Sequence, residues 1–447
     1  MDIEEKVLQE IKPTPEEERG IMEAAERLLR EAKQVISDMN LDAEPILVGS
    51  VAKGTFLKNP DLDVFIMFPS DTPQDILESK GLEIGKKLIK DGRENYAEHP
   101  YINGTFMGYE VDLVPCYRIE DTGRRMSAVD RTPFHTEYVT EHMNEEQKDQ
   151  SRLLKAFMKG IGVYGAEAEI EGFSGYLVEL LIIYYGSFRD VLEASHSWKR
   201  GTRLHLGNDT GKKLNGPFIF IDPVDSKRNV ASALSVDSYA TFIHAASEYL
   251  EDPDRRFFFP PEREPMPASK LTAEAERRGT HIFGILIGRP ELVDDIIFPQ
   301  IKKSRRIVSQ RLNDAGFNVI NSGYTVYDSE ILFMFEVEIS VISSVKRHYG
   351  PPVWNPNASD FREKWRKYLL KIDSGRWVAY TERGYSTPEE YLKKTLHEHN
   401  IGKDLREEAK KGFSMLSMEE IAEKHALSLT EMLFPLFPWE RTPHQAL

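Results

Sequence analysis

The sequence predicts a multidomain α+β protein, and three observations lead to this prediction. The chain has 447 residues, more than one hydrophobic core usually holds. Apolar residues recur at helical spacing in Ile21–Met39 and Leu153–Ile161, whereas Val64–Phe68 is a short apolar run typical of a buried strand. After residue 280 the patterns follow in the order strand, helix, strand, strand. We therefore expect a mixed-sheet head, a helical neck and a second region that contains a sheet.

The changes between these patterns predict three domains. Residues 1–145 form the mixed-sheet head. Residues 146–260 are mostly helical, and Phe173–Phe188 is apolar enough to be one buried helix. The stretch Asp252–Ala268 is rich in proline and charge, which predicts a linker. Residues 261–447 form a body and tail with a ferredoxin-like or RRM-like module. The predicted elements of that module are His281–Ile287, Glu291–Ala315, Val319–Val326 and Glu330–Ile339.

The composition is that of an ordinary globular protein. Hydrophobic residues make up 40% of the chain and charged residues 29%. No apolar run approaches the ~20 residues that cross a bilayer, and the first residues are acidic and lack an apolar signal segment. Cys116 is the single cysteine, which excludes an intramolecular disulfide, and we expect it to be a small buried side chain. These features predict a cytoplasmic protein that does not associate with membranes.

The charge balance bears on possible partners. A net charge of −15, from 58 basic and 73 acidic residues, argues weakly against a nucleic-acid partner. Local charge matters more, because a single face makes the phosphate contacts. Between Phe298 and Leu312 there are basic residues and no acid. This island could equally be a solvated helix face. Its candidates for RNA contact are Lys302, Lys303, Arg305 and Arg306.

Three acids predict a metal site. Asp61 and Asp63 alternate at the start of an apolar strand, so both side chains point to the same face. Asp112 lies in a second predicted strand, Tyr109–Val114, and completes a cluster if the two strands adjoin. Converging carboxylates repel one another unless cations neutralise them. Mg²⁺ prefers such oxygens, and two ions can clamp the oxygens of a phosphoryl displacement. The alternative is a strand whose acids face water.

Gly49 and Ser50 supply the other half of this pattern. A glycine before a short helix lets backbone N–H groups approach a triphosphate closely, and the serine adds a hydroxyl donor. The whole pattern is Gly-Ser, ten residues, Asp-x-Asp and an apolar strand. It resembles the signature of the nucleotidyltransferase superfamily. The resemblance implies a polymerase-beta-like fold for the head.

Nine motifs carry a closer resemblance. They are Val48–Thr55, Asp61–Phe65, Tyr96–Tyr101, Glu110–Tyr117, Ser127–His135, Arg152–Lys155, Gly162–Glu167, Gly172–Tyr176 and Asp222–Ala231. Together they resemble the archaeal-type (class I) CCA-adding tRNA nucleotidyltransferases, in the order of that family and over nearly the whole chain. The resemblance implies template-independent addition of C, C and A to the 3′ end of tRNA from CTP and ATP. It also implies release of pyrophosphate and a homodimer.

The resemblance implies roles for individual residues. Asp61, Asp63 and Asp112 would hold two catalytic Mg²⁺ ions, although the family often has glutamate at the first position. Ser50 would contact the triphosphate. Lys53 stands where the family commonly has arginine, so that a point charge replaces a planar fork. The other positions that match nucleotide-binding residues of the family are Gly49, His135, Lys155 and Tyr164.

Three of these positions also have structural alternatives. Lys155 and His135 can donate to phosphate or ribose, and Tyr164 offers a ring for stacking and a phenolic donor. Taken alone, however, Lys155 fits a solvated helix face equally well. Tyr164 would fit a core aromatic, and His135 could cap a helix.

The segment Asp225–Asn229 is the candidate for reading the base. Arg228 presents two parallel donors, which match O2 and N3 of cytosine and the ring nitrogens of adenine. The resembled family is similar in reading the base with such an arginine and the RNA backbone. We predict that Asp225 orients Arg228 and belongs to the nucleotide site. The alternative is that these two residues form a structural ion pair at a turn.

Other functions share part of this pattern. A poly(A) or oligoadenylate polymerase would keep the three carboxylates but accept only ATP. A small-molecule nucleotidyltransferase would not need the sheet module and the basic residues after residue 270. A non-catalytic RNA-binding scaffold would not retain three acids, because they are costly without metals. The ability to use CTP separates the predicted function from the first of these alternatives.

Overall fold

A computed structural model describes residues 2–96, 99–124, 126–207 and 209–442. The chain divides into two compact units. Unit 1 extends to Pro261 and includes Phe437–Arg441, and unit 2 contains Glu262–Leu436. Positions 97 and 98 of the motif Tyr96–Tyr101 lie outside the described residues. The division into three domains stays a prediction.

The first part of unit 1 is built on a five-stranded sheet. The strands are β1 (Glu44–Val48), β2 (Leu62–Pro69), β3 (Arg93–Tyr96), β4 (Pro100–Phe106) and β5 (Tyr109–Arg118). They lie in the order β1-β2-β5-β4-β3. Within this sheet β2 and β5 run parallel, and the other neighbours run antiparallel. The apolar run in β2 is largely buried because apolar side chains pack on both of its faces.

Helices cover this sheet and form the rest of unit 1. They are α1 (Ile3–Ile11), α2 (Pro15–Asp38), α3 (Gly49–Lys53), α4 (Gln74–Leu88), α5 (Thr132–His142), α6 (Glu145–Gly160), α7 (Gly175–Tyr185), α8 (Phe188–Ser195) and α9 (Val236–Glu251). The short strands β6 (Thr202–His205) and β7 (Phe218–Ile221) pair in parallel. The helices α2 and α4 pack their apolar faces on the sheet, and α6 to α9 share a second core.

The apolar stretch Phe173–Phe188, predicted as one helix, contains two. The Ser174 hydroxyl accepts a hydrogen bond from the Leu177 amide and so starts α7. Gly186 ends it with φ of 104°, a conformation that side chains disfavour. Ser187 then caps α8 by accepting from the Asp190 amide. Apolar composition predicted the burial correctly, but the glycine and serine decide where the helix breaks.

The segment Asp252–Ala268, predicted as a linker, contributes to the core of unit 1. Phe257 and Phe258 are buried there. The Phe257 ring stacks on Phe157 at 5.9 Å and on Trp439 at 5.4 Å. Trp439 is buried as well, and its indole N–H donates to Glu248 at 2.6 Å. The linker prediction was wrong for Phe257 and Phe258, because the prolines and charged residues around them gave the segment the composition of a linker although both rings are buried.

Unit 2 contains two sheets. Its elements are α10 (Ala268–Arg278), β8 (His281–Gly288), α11 (Asp294–Ala315), β9 (Val319–Val326), β10 (Glu330–Val337), β11 (Val345–Pro352), α12 (Ala358–Lys364), β12 (Leu369–Asp373), β13 (Arg376–Glu382), α13 (Pro388–Thr395), α14 (Lys403–Lys411), β14 (Phe413–Ser417), α15 (Met418–Lys424) and α16 (Ala426–Leu433). The larger sheet has the antiparallel order β14-β8-β10-β9. This is the order of a ferredoxin-like module, which confirms that prediction. The smaller sheet, β11-β13-β12, is inserted between β10 and α14.

Two predictions from composition can be compared with the structure. Cys116 is free and fully buried, as predicted. Among the helices of the described ranges, not one combines the length and the apolar character that crossing a bilayer requires.

Candidate active site

The acids meet at the centre of the first sheet. Asp63 on β2 is paired in register with Asp112 on the parallel strand β5, and with Val48 on the other side. Asp61 lies just before β2, one pleat from Asp63. Gly49 follows Val48 with φ of +73°, and a Cβ atom there would lie 1.9 Å from the Asp63 carboxylate oxygen. The position therefore requires glycine for two reasons, its backbone angle and the space that Asp63 occupies.

Burial and mutual repulsion disfavour the charged forms of these carboxylates. Burial, then Asp112 and Asp61, raises the pKa of Asp63 to about 7. Burial also raises the pKa values of Asp61 and Asp112, and Glu110 raises both further. The Asn103 amide donates to Asp112 at 2.9 Å and opposes this effect. Sequence reasoning missed Glu110, although it precedes Asp112 by one pleat just as Asp61 precedes Asp63.

The chemistry of these donors fits a hard divalent cation. Carboxylate oxygens are its preferred ligands, and raised pKa values mark a site where added positive charge is favourable. Across the described parts of the chain, however, no group of three His, Cys, Asp or Glu side chains is arranged to hold one ion. The strand register thus places Asp63 beside Asp112, and both Asp112 and Asp61 lie near enough to affect the pKa of Asp63. The three carboxylates do not, however, surround a common point at which one ion would bind.

A cavity of about 180 Å³ lies beside Asp61. Its wall includes Ser50 from α3, Lys155 and Lys159 from α6, and Tyr164. The remaining lining residues are Thr55, Phe56, Leu57, Lys58, Asn59 and Pro60. The structure thus places four of the predicted site residues around one cavity, namely Ser50, Asp61, Lys155 and Tyr164.

Lys159 is a cavity residue that sequence reasoning missed. Its ammonium group lies 5.3 Å from the centre of the Tyr164 ring. It also lowers the pKa of Asp61, against the larger effect of burial. The signal for finding it was the spacing of four residues from Lys155 on one helix, which places both lysines on the same face. Burial raises the pKa of the Tyr164 hydroxyl, so this group stays protonated and can donate.

Lys155 and Lys53 converge on a glutamate that sequence reasoning also missed. Glu179 on α7 accepts from Lys53 Nζ at 2.5 Å and from Lys155 Nζ at 2.9 Å. The Thr55 hydroxyl donates to the same carboxylate at 2.5 Å and accepts from Lys155 at 2.9 Å. Lys155 is 3% exposed, Lys53 8% and Glu179 0%. The alternative in which Lys155 belongs to a solvated helix face is therefore wrong.

A second buried carboxylate organises the other predicted residues. Asp222, at the end of β7, lies 3.0 Å from His135 Nε2 and accepts from Arg228 Nη1 at 2.8 Å. The Tyr176 hydroxyl donates to its other oxygen at 3.2 Å. The His135 and Tyr176 rings stack with their centres 4.0 Å apart. Burial lowers the pKa of His135, although Asp222 raises it.

The prediction that Asp225 orients the Arg228 side chain was wrong. Asp222 is the carboxylate that the guanidinium contacts. Asp225 instead accepts from Arg131 at 3.2 Å and from the Lys227 amide at 3.2 Å, and its carbonyl accepts from the Arg228 amide at 2.9 Å. It therefore shapes the backbone turn. Both residues precede the arginine closely in sequence, so spacing alone could not distinguish them.

The basic residues predicted to contact RNA lie on α11 in unit 2. Arg306 is exposed, while Lys302, Lys303 and Arg305 are half-buried. The Arg305 guanidinium donates to the Ser322 carbonyl on β9 at 3.0 Å. This arginine ties α11 to the sheet, which gives it a structural role.

Three family models match successive parts of the chain. The nucleotidyltransferase domain matches residues 29–135, and the second domain of tRNA nucleotidyltransferase matches 149–259. The C-terminal domain of the CCA-adding enzyme matches 278–418. The mixed sheet with acids at its centre and the match to the first model define a nucleotidyltransferase with a polymerase-beta-like fold.

Proteins with similar sequences identify the family within the nucleotidyltransferases. The chain is 37% identical to the CCA-adding enzyme of Methanothermobacter thermautotrophicus, over 97% of this chain and 98% of the relative. It is 37% identical to that of Archaeoglobus fulgidus over 97% and 98%, and 38% identical to that of Thermoplasma volcanium over 93% and 93%. The chain belongs to the family of CCA-adding enzymes. The family and fold class predicted from its motifs are confirmed.

Proposed function

We propose that this chain adds C, C and A in succession to the 3′ end of tRNA, with CTP and ATP as substrates and pyrophosphate as product. The observation that carries the proposal is the register of Asp63 with Asp112 on adjacent parallel strands, directly beside Gly49. The names of the matching relatives and family models support tRNA as the acceptor. The protein and the RNA together choose the base, and no nucleic-acid template takes part.

Asp61, Asp63 and Asp112 are the residues that would hold metal ions, which nucleotidyltransferases generally use. We assign two Mg²⁺ ions, because carboxylate oxygens suit this hard cation. Bound ions would stabilise the charge that develops on the oxygens around the reacting phosphorus. Two contacts fix the positions of these carboxylates. The Asn103 amide donates to Asp112, and the Asp63 carboxylate packs closely against Gly49.

The cavity beside Asp61 suits the phosphate groups of the incoming nucleotide. Its volume of about 180 Å³ is below the ~300–1,000 Å³ of pockets that enclose whole ligands of drug size. Two donors line it, the Ser50 hydroxyl and the ammonium group of Lys159, and Lys155 adds its positive charge while its own donors bond Thr55 and Glu179. These groups would bind the anionic phosphates, and the protonated Tyr164 hydroxyl adds a neutral donor.

Arg228 and His135 are assigned to the base and ribose. Asp222 fixes one nitrogen of the guanidinium and leaves other donors for a base edge. Cytosine and adenine present acceptors to such donors, whereas uracil presents its N3–H donor. This arrangement would therefore accept C and A and reject U. Asp225 supports the same site by shaping the turn that carries Arg228.

The remaining assignments concern partners and compartment. We assign the RNA contact on unit 2 to the basic face of α11, with Lys302, Lys303 and Arg306. The family resemblance supports a homodimer, which light scattering of the purified protein tests directly. Its single, buried cysteine suits the reducing cytoplasm.

The function is tested by incubating the protein with Mg²⁺, CTP, ATP and tRNA that lacks its 3′ CCA, followed by sequencing of the product ends. We expect CCA at the ends, and none with Asp63→Asn, which keeps the side-chain shape but removes the charge. Loss of such an electrostatic group typically costs ~10²–10³ in rate. Extension with A alone would indicate a poly(A) polymerase, and an unextended tRNA would contradict the proposal.

A further inference from the structure

Glu179 is the one charged side chain on α7, in the sequence Gly-Tyr-Leu-Val-Glu-Leu-Leu-Ile-Ile-Tyr-Tyr. It is 0% exposed, among leucine, valine and isoleucine side chains that fill the core of unit 1. Burying a carboxylate is unfavourable unless it is paired. The partners of this carboxylate are the buried ammonium groups of Lys53 and Lys155, which an apolar residue at this position would leave unpaired.

The contacts of Glu179 lead to the cavity. One oxygen accepts from Lys53, and the other accepts from Lys155 and Thr55. Lys155 and Thr55 are themselves part of the cavity wall, next to Ser50. The Lys155 ammonium group also donates to the Thr55 carbonyl at 3.1 Å, which completes its hydrogen bonding. A lysine has a flexible stem, so fixed acceptors are needed to keep its charge in one place.

The charges of this cluster sum to one positive charge, from two ammonium groups and one carboxylate. Burial lowers the pKa of Lys155 to about 8; Lys53 and Arg152 lower it too, whereas Glu179 raises it. Burial raises the pKa of Glu179, but Lys155 and Lys53 lower it to about 2. Tyr164 also faces this cluster, and burial and then Glu179 raise the pKa of its hydroxyl. Without the carboxylate, the pKa of Lys155 would fall further below its ordinary value, and a smaller fraction of this group would carry its charge.

We propose that Glu179 is a positioning residue for the nucleotide triphosphate, which holds the ammonium group of Lys155 in place and charged in the cavity wall and joins it to Lys53. This inference rests on the proposed function, because it assigns the phosphates of CTP and ATP to that cavity. The triphosphate is common to both nucleotides. Glu179 therefore supports the binding of CTP and ATP equally and has no part in the choice of base.

The test uses Glu179→Gln, which keeps the shape of the side chain and removes its charge. Equilibrium binding of CTP and of ATP to the full chain with Mg²⁺ is measured from pH 6 to pH 8.5, together with kcat and KM. We expect Kd for both nucleotides to rise about tenfold or more at pH 8, since hydrogen bonds to charged groups are the strong ones. The loss should shrink towards pH 6, where Lys155 regains its proton. KM should change more than kcat.

Glu336→Gln is the matched control. Glu336 in unit 2 is also 0% exposed and accepts from an arginine, Arg278, at 2.6 and 2.8 Å and from the Thr280 hydroxyl at 2.7 Å. We expect this variant to lower Tm and to leave Kd for CTP unchanged. If Glu179→Gln gives the same result, binds nucleotide more tightly or loses affinity equally at every pH, the inference is wrong.

Two further measurements distinguish a failure of this inference from a failure of the proposed function. Glu179→Asp keeps the charge on a shorter stem, and we expect a smaller, equal loss of affinity for CTP and ATP. An unchanged Kd in this variant would contradict the inference, even if Glu179→Gln does not fold. A parent protein that binds CTP but does not extend tRNA would contradict the proposed function, while the binding measurements would still decide the role of Glu179.

Discussion

Asp222 holds Arg228 and His135 with the same carboxylate oxygen, at 2.8 Å and 3.0 Å. The carboxylate is 0% exposed, and its other oxygen accepts from Tyr176 and from the Val224 amide. Because the arginine and the histidine bond to one buried oxygen, the position of each is tied to that of the other. A shift in one of them is transmitted to the other through a single group.

The first prediction concerns base choice. Arg228→Ala should lower incorporation of CTP and ATP and narrow their advantage over UTP by about tenfold or more, because a discriminating hydrogen-bond pair is worth ~1–3 kcal/mol. Asp222→Asn should cause a smaller defect of the same kind, since it leaves the guanidinium in place but weakens its anchor. Incorporation into tRNA that lacks CCA is measured for each nucleotide, with Tm on the same preparation.

The control for this prediction is Arg203→Ala. Arg203 also pairs with an aspartate, Asp209, through two hydrogen bonds of 2.5 and 2.6 Å, and it is not among the site residues. Its loss should not alter the ratio of CTP to UTP incorporation. If Arg228→Ala lowers Tm and leaves this ratio unchanged, the contact between Arg228 and Asp222 is only structural.

The second prediction concerns Gly49. Gly49→Ala places a methyl group 1.9 Å from the Asp63 carboxylate at a φ of +73°, so Asp63 must move. A displacement of about 1 Å at a catalytic group can cost ~10²-fold in rate, and we expect a loss of that order in kcat. Gly108→Ala is the control, because Gly108 has φ of +89° with no atom within 4 Å of the added Cβ. Comparable activity in the two variants would show that the fit against Asp63 is unimportant.

The third prediction concerns pH in the absence of metal. The folded-state pKa of Asp63, about 7, lies above the ~3.9 of an exposed aspartate. The folded protein therefore binds this proton more tightly than the unfolded chain does. The contribution to the free energy of unfolding is complete below about pH 4 and is lost as the pH rises through 7.

Thermal unfolding without metal tests this prediction. Asp63→Asn should raise Tm relative to the parent at pH 8 and change it little at pH 5, where the folded parent carries a neutral Asp63. Mg²⁺ should stabilise the parent at pH 8 and affect the variant less. Asp75→Asn, at an exposed acid on α4, serves as the control and should show neither effect. A Tm difference that is constant with pH would contradict the prediction.

The fourth prediction concerns RNA binding by unit 2. Reversing the charges of Lys302, Lys303 and Arg306 should weaken tRNA binding and flatten its salt dependence, by at most ~0.9 in the logarithmic slope for each lost phosphate contact. Arg305 is left unchanged because it bonds the Ser322 carbonyl. Reversal of Lys410 and Lys411 on α14, which pair with nearby glutamates, is the control. Unchanged binding across a salt titration would leave α11 as a solvated face.

The local parts of the site could be predicted from the sequence, and the reasons are geometric. Alternation along a strand fixes the common face of Asp61 and Asp63 without any tertiary information. Asp112 was predicted as an acid within a second strand-like segment, Tyr109–Val114, on the condition that the two strands adjoin, and β2 and β5 do adjoin. The same alternation applied to β5 would also have identified Glu110.

Partners that are distant in sequence could not be predicted in this way. Glu179 is 126 positions from Lys53 and 24 from Lys155, and its neighbours on α7 are apolar. The sequence pattern therefore predicts a core helix in which Glu179 is the one charged residue. It contains no information that would identify Lys53 and Lys155 as the partners of this glutamate. The assignment of Arg228 to Asp225 failed for a related reason, because the conformation of a tight turn brings Asp222 to the guanidinium instead.

The return of the chain to unit 1 at Phe437–Arg441 has a consequence for protein synthesis. Trp439 packs on Phe257, but the whole of Glu262–Leu436 is translated between them. Domains generally fold in order from the N-terminus while the ribosome synthesises the chain, which proceeds at ~5–20 residues per second. The part of the aromatic core that Trp439 covers can therefore close only after the ribosome has synthesised unit 2. A nascent chain that stalls within unit 2 would leave the face of Phe257 that Trp439 covers open to chaperones and proteases.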